Sequence, residues 1–214
     1  MRCHFADSSC LKKSTEKVLK TYSRTGVPQL NILPIDPLRV NVLKINKNPT
    51  SPVSVELKFK DIDIIGLHAA EVIEVTGFDA DIKDLIEVQF KIPRVELTGY
   101  YSVNGSVLIL PIIGKGKSQI VLEDVLVTAT LHPEAYIKKG HTYMKVASIT
   151  LDLTPNHASY NLENLFNGDK VLGDTMNKFL NENWSDIFNE LKPDLSEAIG
   201  AIIMHIINEP FSKL

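Results

Sequence analysis

The stretch WSDIFNELKPDLSEAIGAIIMHIIN, residues 184–208, decides the fold. Trp184, Ile187, Phe188, Leu191, Leu195, Ala198, Ile199, Ile202, Ile203 and Ile206 recur at helical spacing, so one face is apolar along its whole length. A helix over 184–208 is roughly 37 Å long at about 1.5 Å per residue. Pro193 lies inside it and is expected to kink or split it, because proline removes an intrahelical hydrogen bond and crowds the preceding turn. Glu209-Pro210 is expected to end it. Toward the C-terminal end, Ile199, Ile202, Ile203, Ile206 and Ile207 cover more than half the circumference. A helix of that kind must be surrounded by other structure.

Upstream, Asn167-Gly168-Asp169 reads as a turn and Lys170 to Asn181 as a shorter helix. Between about 40 and 154 the period is two. Val53, Val55, Leu57 and Phe59 alternate with Ser54, Glu56, Lys58 and Lys60. Ile62 and Ile64 resume after a one-residue slip, the mark of a bulge. Val88, Phe90 and Ile92 form a second run, and Val95 and Leu97 continue toward Tyr101 and Val103. Asn104-Gly105 is a hairpin signal leading into Val107 to Ile113. Ile120 to Leu131 and Tyr143 to Leu153 read as further strands. Numerous strands with short connections and no intervening helix give an antiparallel sheet with one face committed to burial. At the N-terminus, Asp7 and Ser8 can cap a short helix over about 9–24, and Leu33 to Leu38 is expected to be extended around its prolines. The fold class is therefore α+β: one domain over 1–214, in which a highly curved antiparallel sheet wraps a long C-terminal helix, with a short N-terminal helix.

Composition narrows the function classes. Hydrophobic residues are 44% and aromatics only 7%, so the apolar mass is aliphatic and suits a flexible hydrocarbon better than a stacked planar cofactor. The net charge of -3, without a basic block, argues against nucleic acid and against strong attachment to anionic membranes. No apolar run approaches the ~20 residues of a spanning helix, so stable membrane insertion is not expected. Met1-Arg2 is followed directly by Cys3, His4 and Asp7 rather than an apolar leader, which fits a cytosolic chain or a mature form with a start Met. Cys3 and Cys10 are either free thiols or a disulfide closing a small loop, worth roughly 2.5 kcal/mol in the chain-entropy picture and favouring an oxidising compartment. Asn104-Gly105-Ser106 and Asn183-Trp184-Ser185 fit the N-glycosylation pattern.

Catalytic signatures fail one by one. Gly114-Lys115-Gly116-Lys117-Ser118 lacks the first glycine of a phosphate loop, since Pro111 stands there, and reads as a glycine-rich hairpin turn. Asp61 and Asp63 fall on the polar outer face of their strand. Asp79, Asp81 and Asp84 lack the glycine and closing glutamate of a calcium loop. His4, His68, His132, His141, His157 and His205 form no metal-ligand pattern, and His205 reads as a core or boundary residue of the long helix. A G-x-S-x-G nucleophile elbow is missing. No catalytic residue, metal or cofactor is expected.

Several stretches resemble the insect Takeout family, related to the juvenile hormone-binding proteins. The pair Cys3 and Cys10 looks like its terminal disulfide. Leu33 to Leu38 resembles its early extended motif, and Gly105 to Gly116 its hairpin and GxG segment. The most specific match runs over Leu165-Phe166-Asn167-Gly168-Asp169-Lys170-Val171-Leu172-Gly173 and continues through Asn181-Glu182-Asn183-Trp184 to Phe211. The resemblance implies the TULIP arrangement of a long helix wrapped by a curved sheet, an internal hydrophobic tunnel, secretion and transport of lipophilic ligands. The motifs are structural and carry no ligand identity.

The expected function is a secreted, monomeric, non-enzymatic carrier of a long-chain lipophilic small molecule: an isoprenoid, fatty-acyl or juvenile-hormone-like lipid. The expected lining residues are Val55, Leu57, Phe59, Phe90, Leu97, Tyr101, Leu110, Val127, Leu131, Ile149 and Leu151 from the sheet. Phe179, Phe188, Leu195, Ile199 and Ile202 are the helical ones; each can equally be solid core. Tyr136, His141, Tyr143 and Ser148 either meet a polar head group or are surface residues. The rivals are a membrane- or lipopolysaccharide-engaging defence protein, a lipid-modifying enzyme and a purely protein-binding signal.

Overall fold

A computed structural model describes residues 3–79, 85–138 and 140–211. Helix α1 (Ser8–Tyr22) is followed by strands β1 (Leu38–Ile45), β2 (Val53–Ile65), β3 (Glu71–Thr76), β4 (Ile86–Val107), β5 (Leu110–Lys138), β6 (His141–Thr154) and β7 (His157–Leu162). Helices α2 (Lys170–Glu182) and α3 (Trp184–Phe211) complete the chain. Asp7 caps α1 as expected, its Oδ1 accepting from Cys10 N at 3.0 Å, and Cys3 is disulfide-bonded to Cys10. Met1, Arg2, Asp81 and Asp84 lie outside the described residues, so the calcium-loop reading of 79–84 is not addressed by the structure.

One antiparallel sheet runs β1-β2-β4-β5-β6; β3 pairs with the first half of β4, and β7 with the middle of β5. Straight, the 29 residues of β5 would span roughly 95 Å at about 3.3 Å each. Helix α3, with 28 residues, is only about 42 Å long. Irregularities bend the long strands so that the sheet curves around the helix. The expected bulge in β2 is present: the register shifts between Lys60 and Asp63, and Asp61 takes φ 50°. A second slip is shared by two strands. Pro93 in β4 and Asp124 (φ 47°) in β5 stand opposite each other without pairing, and the inward positions change phase in both. A third lies between His132 and Pro133, where β5 meets β6. Extra residues of this kind increase local twist and bend.

Several expectations change. Asn104-Gly105 is not the hairpin turn. The β4–β5 hairpin turns four residues later, at Leu108-Ile109, with Val107 pairing Leu110 and Leu108 at φ 53°. Gly105 serves a close approach instead, because a Cβ there would meet Ser54 O at 2.1 Å on β2. Gly114 to Ser118 is strand interior rather than a turn. A Cβ at Gly114 would meet the Tyr101 hydroxyl at 2.7 Å, and one at Gly116 would meet Glu163 O at 2.4 Å. Val107 to Ile113 and Ile120 to Leu131 contribute to one pair of long strands, not separate short ones. Pro193 does not split α3, and Glu209-Pro210 does not end it before Phe211. Pro193 and Asn189, whose carbonyl loses its helical partner, are both exposed, so water can satisfy that group. Residues 33–35 form no regular element, and the chain turns at Asp36-Pro37 before β1 begins at Leu38.

The open side of the sheet is closed by α3, which packs on edge strands β1 and β6 and on β2 and β7. Glu190 Oε2 accepts from Ser51 Oγ at 2.9 Å, and Lys192 pairs with Asp152 of β6 at 2.5 Å. Among the described residues no helix is long and apolar enough to cross a bilayer.

Candidate functional site

The apolar interior has two parts joined along α3. A large proximal cluster gathers Val40, Leu43, Val55, Leu57, Phe59, Ile62, Tyr101, Val103, Ile112, Leu165, Met176 and Ile187 among its buried members. A smaller distal cluster holds Ile86, Ala129, Leu131, Val146 and Leu151. Ile199 packs against both. From Ile187 to Ile207 the helix carries this seam over about 30 Å.

Packing along the seam is uneven, and that is its chief property. Toward β6, α3 is in ordinary packing contact: a Cβ at Gly200 would lie 3.5 Å from Ile149 O and 3.9 Å from Leu151 Cδ1. The apolar residues elsewhere on the helix are only partly covered by packing. Leu191, Leu195, Ala198, Ile199, Ile202, Ile203, Met204, Ile206 and Ile207 are all only half-buried. Sheet residues packed on the same two clusters are half-buried too: Val88, Phe90, Leu97, Ile120, Leu122, Val127, Met144 and Ile149. Apolar area left partly uncovered gains about 25 cal/mol per Å² when an apolar molecule removes it from water.

The expected lining residues therefore divide. Phe90, Leu97, Leu110, Val127, Phe179, Leu195, Ile199 and Ile202 are half-buried on the proximal cluster, and Ile149 on the distal one. Val55, Leu57, Phe59 and Tyr101 are buried within the proximal cluster, Leu131 and Leu151 within the distal one, and Phe188 is buried on α3. Tyr101 has a second role. Its hydroxyl donates to Glu163 O at 2.7 Å, and burial, with the Glu163 charge, pushes its pKa up to about 12, so it stays neutral and ties β4 to the β7–α2 link. Absent from the expected lining were Val88 and Ile203, although both lie on the periodic apolar faces, and Ile120, Leu122, Met144 and Met204. Met144 and Met204 signal an adaptable distal end.

Tyr136 and Tyr143 stack at 5.6 Å near the β5–β6 hairpin end, while His141 and Ser148 are exposed; none belongs to either cluster. His205 is exposed, 4.0 Å from Glu209, rather than core. Asp61 and Asp63 lie on the outer face, bordering a depression of about 340 Å³ with Tyr100, Lys117 and Asn161, and Asp63 pairs with Arg39 at 3.0 Å.

Side chains that fasten the frame were invisible to motif reading. Asp36 is buried at the head of β1. It accepts from Gly66 N at 3.0 Å, from His68 N at 2.9 Å and from the His68 ring, whose other nitrogen lies 2.9 Å from Arg24. Burial alone would raise its pKa, but these donors outweigh burial and hold the carboxyl below its usual range. On edge strand β7, Asn181 exchanges both amide bonds with Tyr160 (2.8 and 2.8 Å), and Asn177 does so with Leu162 (2.9 and 3.0 Å). Four helical residues advance about 6 Å and two strand residues about 6.6 Å, so an i, i+4 pair on α2 matches the strand's outward groups.

A family profile described as haemolymph juvenile hormone binding protein matches residues 1–214. The chain belongs to that family. Two relatives carry the name circadian clock-controlled protein daywake. The one from Drosophila melanogaster is 25% identical over 218 residues, spanning 100% of this chain and 84% of that protein. The one from Drosophila yakuba is 24% identical over 221 residues with the same coverage. The crystal structure of Takeout 1 from Epiphyas postvittana matches with a TM-score of 0.86 and 27% identity, covering 100% of this chain and 95% of that one. The resemblance in Leu165 to Gly173 and the wrapped-helix expectation both agree with this family and fold.

Proposed function

We propose that this chain is a secreted, monomeric carrier that holds one long hydrophobic molecule between α3 and the concave face of the sheet. An isoprenoid, fatty-acyl or juvenile-hormone-like lipid fits the chemistry. One observation carries the reading: the aliphatic row of α3 from Leu195 to Ile207 is only half-buried, and so are sheet residues packed on the two apolar clusters that α3 joins. Family membership supports it, since the family is described by hormone binding in haemolymph. The Cys3–Cys10 disulfide supports an oxidising destination.

The energetics favour length over polar anchoring. Each buried CH₂ contributes about 0.8 kcal/mol, so a twelve-carbon chain gains roughly 10 kcal/mol. Association costs at least about 4 kcal/mol of that. Shorter molecules leave too little to be retained, whereas the 30 Å seam rewards longer ones. Among the described residues of the seam no nucleophile has a base beside it, and a family described by hormone binding favours holding over transforming.

Native mass spectrometry of the purified protein, followed by organic extraction, tests it. The expected result is a one-to-one complex releasing an apolar chain. An unliganded protein that also refuses added long-chain lipids, or turnover of added esters or epoxides, would overturn it.

A further inference from the structure

The two glycosylation patterns in the chain meet opposite fates in the fold. Asn183 is half-buried at the junction of α2 and α3, where its Nδ2 donates to Phe179 O at 2.8 Å and its backbone carbonyl starts α3 by accepting from Ile187 N at 3.1 Å. The atom a sugar would take is committed to closing α2, with Trp184 edge-on to His157 beside it. Asn104 stands on the outer face of β4, between inward Val103 and the close approach of Gly105 to β2. It is exposed, and its side chain makes no hydrogen bond among the described residues. Its cross-strand partners are exposed Glu56 on β2 and Ile113 on β5.

Ile113 supplies a second, independent observation. It is an aliphatic side chain 48% exposed on the outer face, directly opposite Asn104, in the hairpin whose turn carries Ile109 at 92% exposure. Among the described residues nothing covers either. A sugar ring attached at Asn104 would lay its C–H face across Ile113 and remove that apolar area from water.

We infer that Asn104 is an N-glycosylation site and Asn183 is not, and that the attached oligosaccharide covers Ile113. The donor is a lipid pyrophosphate-linked oligosaccharide of the secretory compartment. Its anomeric carbon forms a bond to Asn104 Nδ2 as the bond to the pyrophosphate oxygen breaks; the amide gives up one proton and the lipid pyrophosphate leaves. The inference rests on the chain entering the secretory route, so the test supplies that route.

The chain, fused to a heterologous leader, is translated with microsomes, and the protease-protected fraction is weighed before and after endoglycosidase. One oligosaccharide is expected on wild type and on Asn183→Gln. None is expected on Asn104→Gln or on Ser106→Ala, which keeps the asparagine and removes only the hydroxyl of the pattern. A translocated but unmodified wild type, or an oligosaccharide that survives Ser106→Ala, would overturn it. Failure of the native protein to be secreted would count against the proposed function alone. Dye binding to exposed apolar surface should be higher for enzymatically deglycosylated wild type than for the glycosylated protein; equal binding would remove the covering role.

Discussion

Asn208 on the last turns of α3 holds the backbone of Val146 as a neighbouring strand would: Val146 N donates to its Oδ1 at 2.8 Å, and its Nδ2 donates to Val146 O at 2.8 Å. Val146 belongs to edge strand β6 and lies in the distal cluster, where the register of β6 on β5 has just shifted. One side chain thus closes both an exposed strand edge and the distal end of the seam.

Replacing it should loosen that end. Asn208→Ala leaves two backbone groups of Val146 unpartnered and should cost about 2 kcal/mol in urea unfolding. Hydrogen exchange at Val146 should speed up, and a bound acyl probe should dissociate faster than from wild type. Unchanged exchange at Val146 would show that the clasp does not hold in solution.

The paired asparagines on α2 make a separate prediction. Removing both, as Asn177→Ala with Asn181→Ala, strips β7 of its edge cover while leaving the apolar seam intact. The double variant should lose roughly 2–4 kcal/mol and aggregate at concentrations where wild type does not, measured by light scattering.

Asp36 sets a pH dependence. Its folded pKa is depressed, so it contributes stability above its unfolded value of about 3.9, and that contribution is lost as pH falls through the folded pKa. Asp36→Asn should destabilise the protein by about 3 kcal/mol at neutral pH, and the variant's stability should fall less steeply than wild type below pH 4. Parallel pH profiles for the two proteins would contradict the assignment.

How much of this was legible follows from where each signal lives. Alternation in Val53 to Phe59 and helical spacing from Trp184 to Ile206 are local, and both appear in the structure as read. Strands β1, β3 and β7 were missed. The inward residues of β1 change phase between Val40 and Leu43, opposite the Asp61 bulge, so no clean period exists to read. Gly105 misled because glycine serves turns and close approaches alike, and only the position of Ser54 tells them apart. Asp36 and His68 are 32 residues apart, and the asparagine clasps depend on which backbone groups a strand edge leaves open; neither leaves a pattern in the chain. Lining residues were half legible, because periodicity gives the inward face but not whether the helix opposite fills the space.

That last question is settled most directly at Ile199, the residue shared by both clusters. In a filled core, Ile199→Trp would overpack and destabilise by about 1–3 kcal/mol. In a seam that holds a ligand, the indole occupies the ligand's place. Titrating a fluorescent long-chain acyl probe into delipidated wild type and Ile199→Trp, with urea unfolding of both, separates the two. The account predicts probe affinity weakened at least tenfold with stability equal to or above wild type. Unchanged affinity together with a clear loss of stability would contradict it.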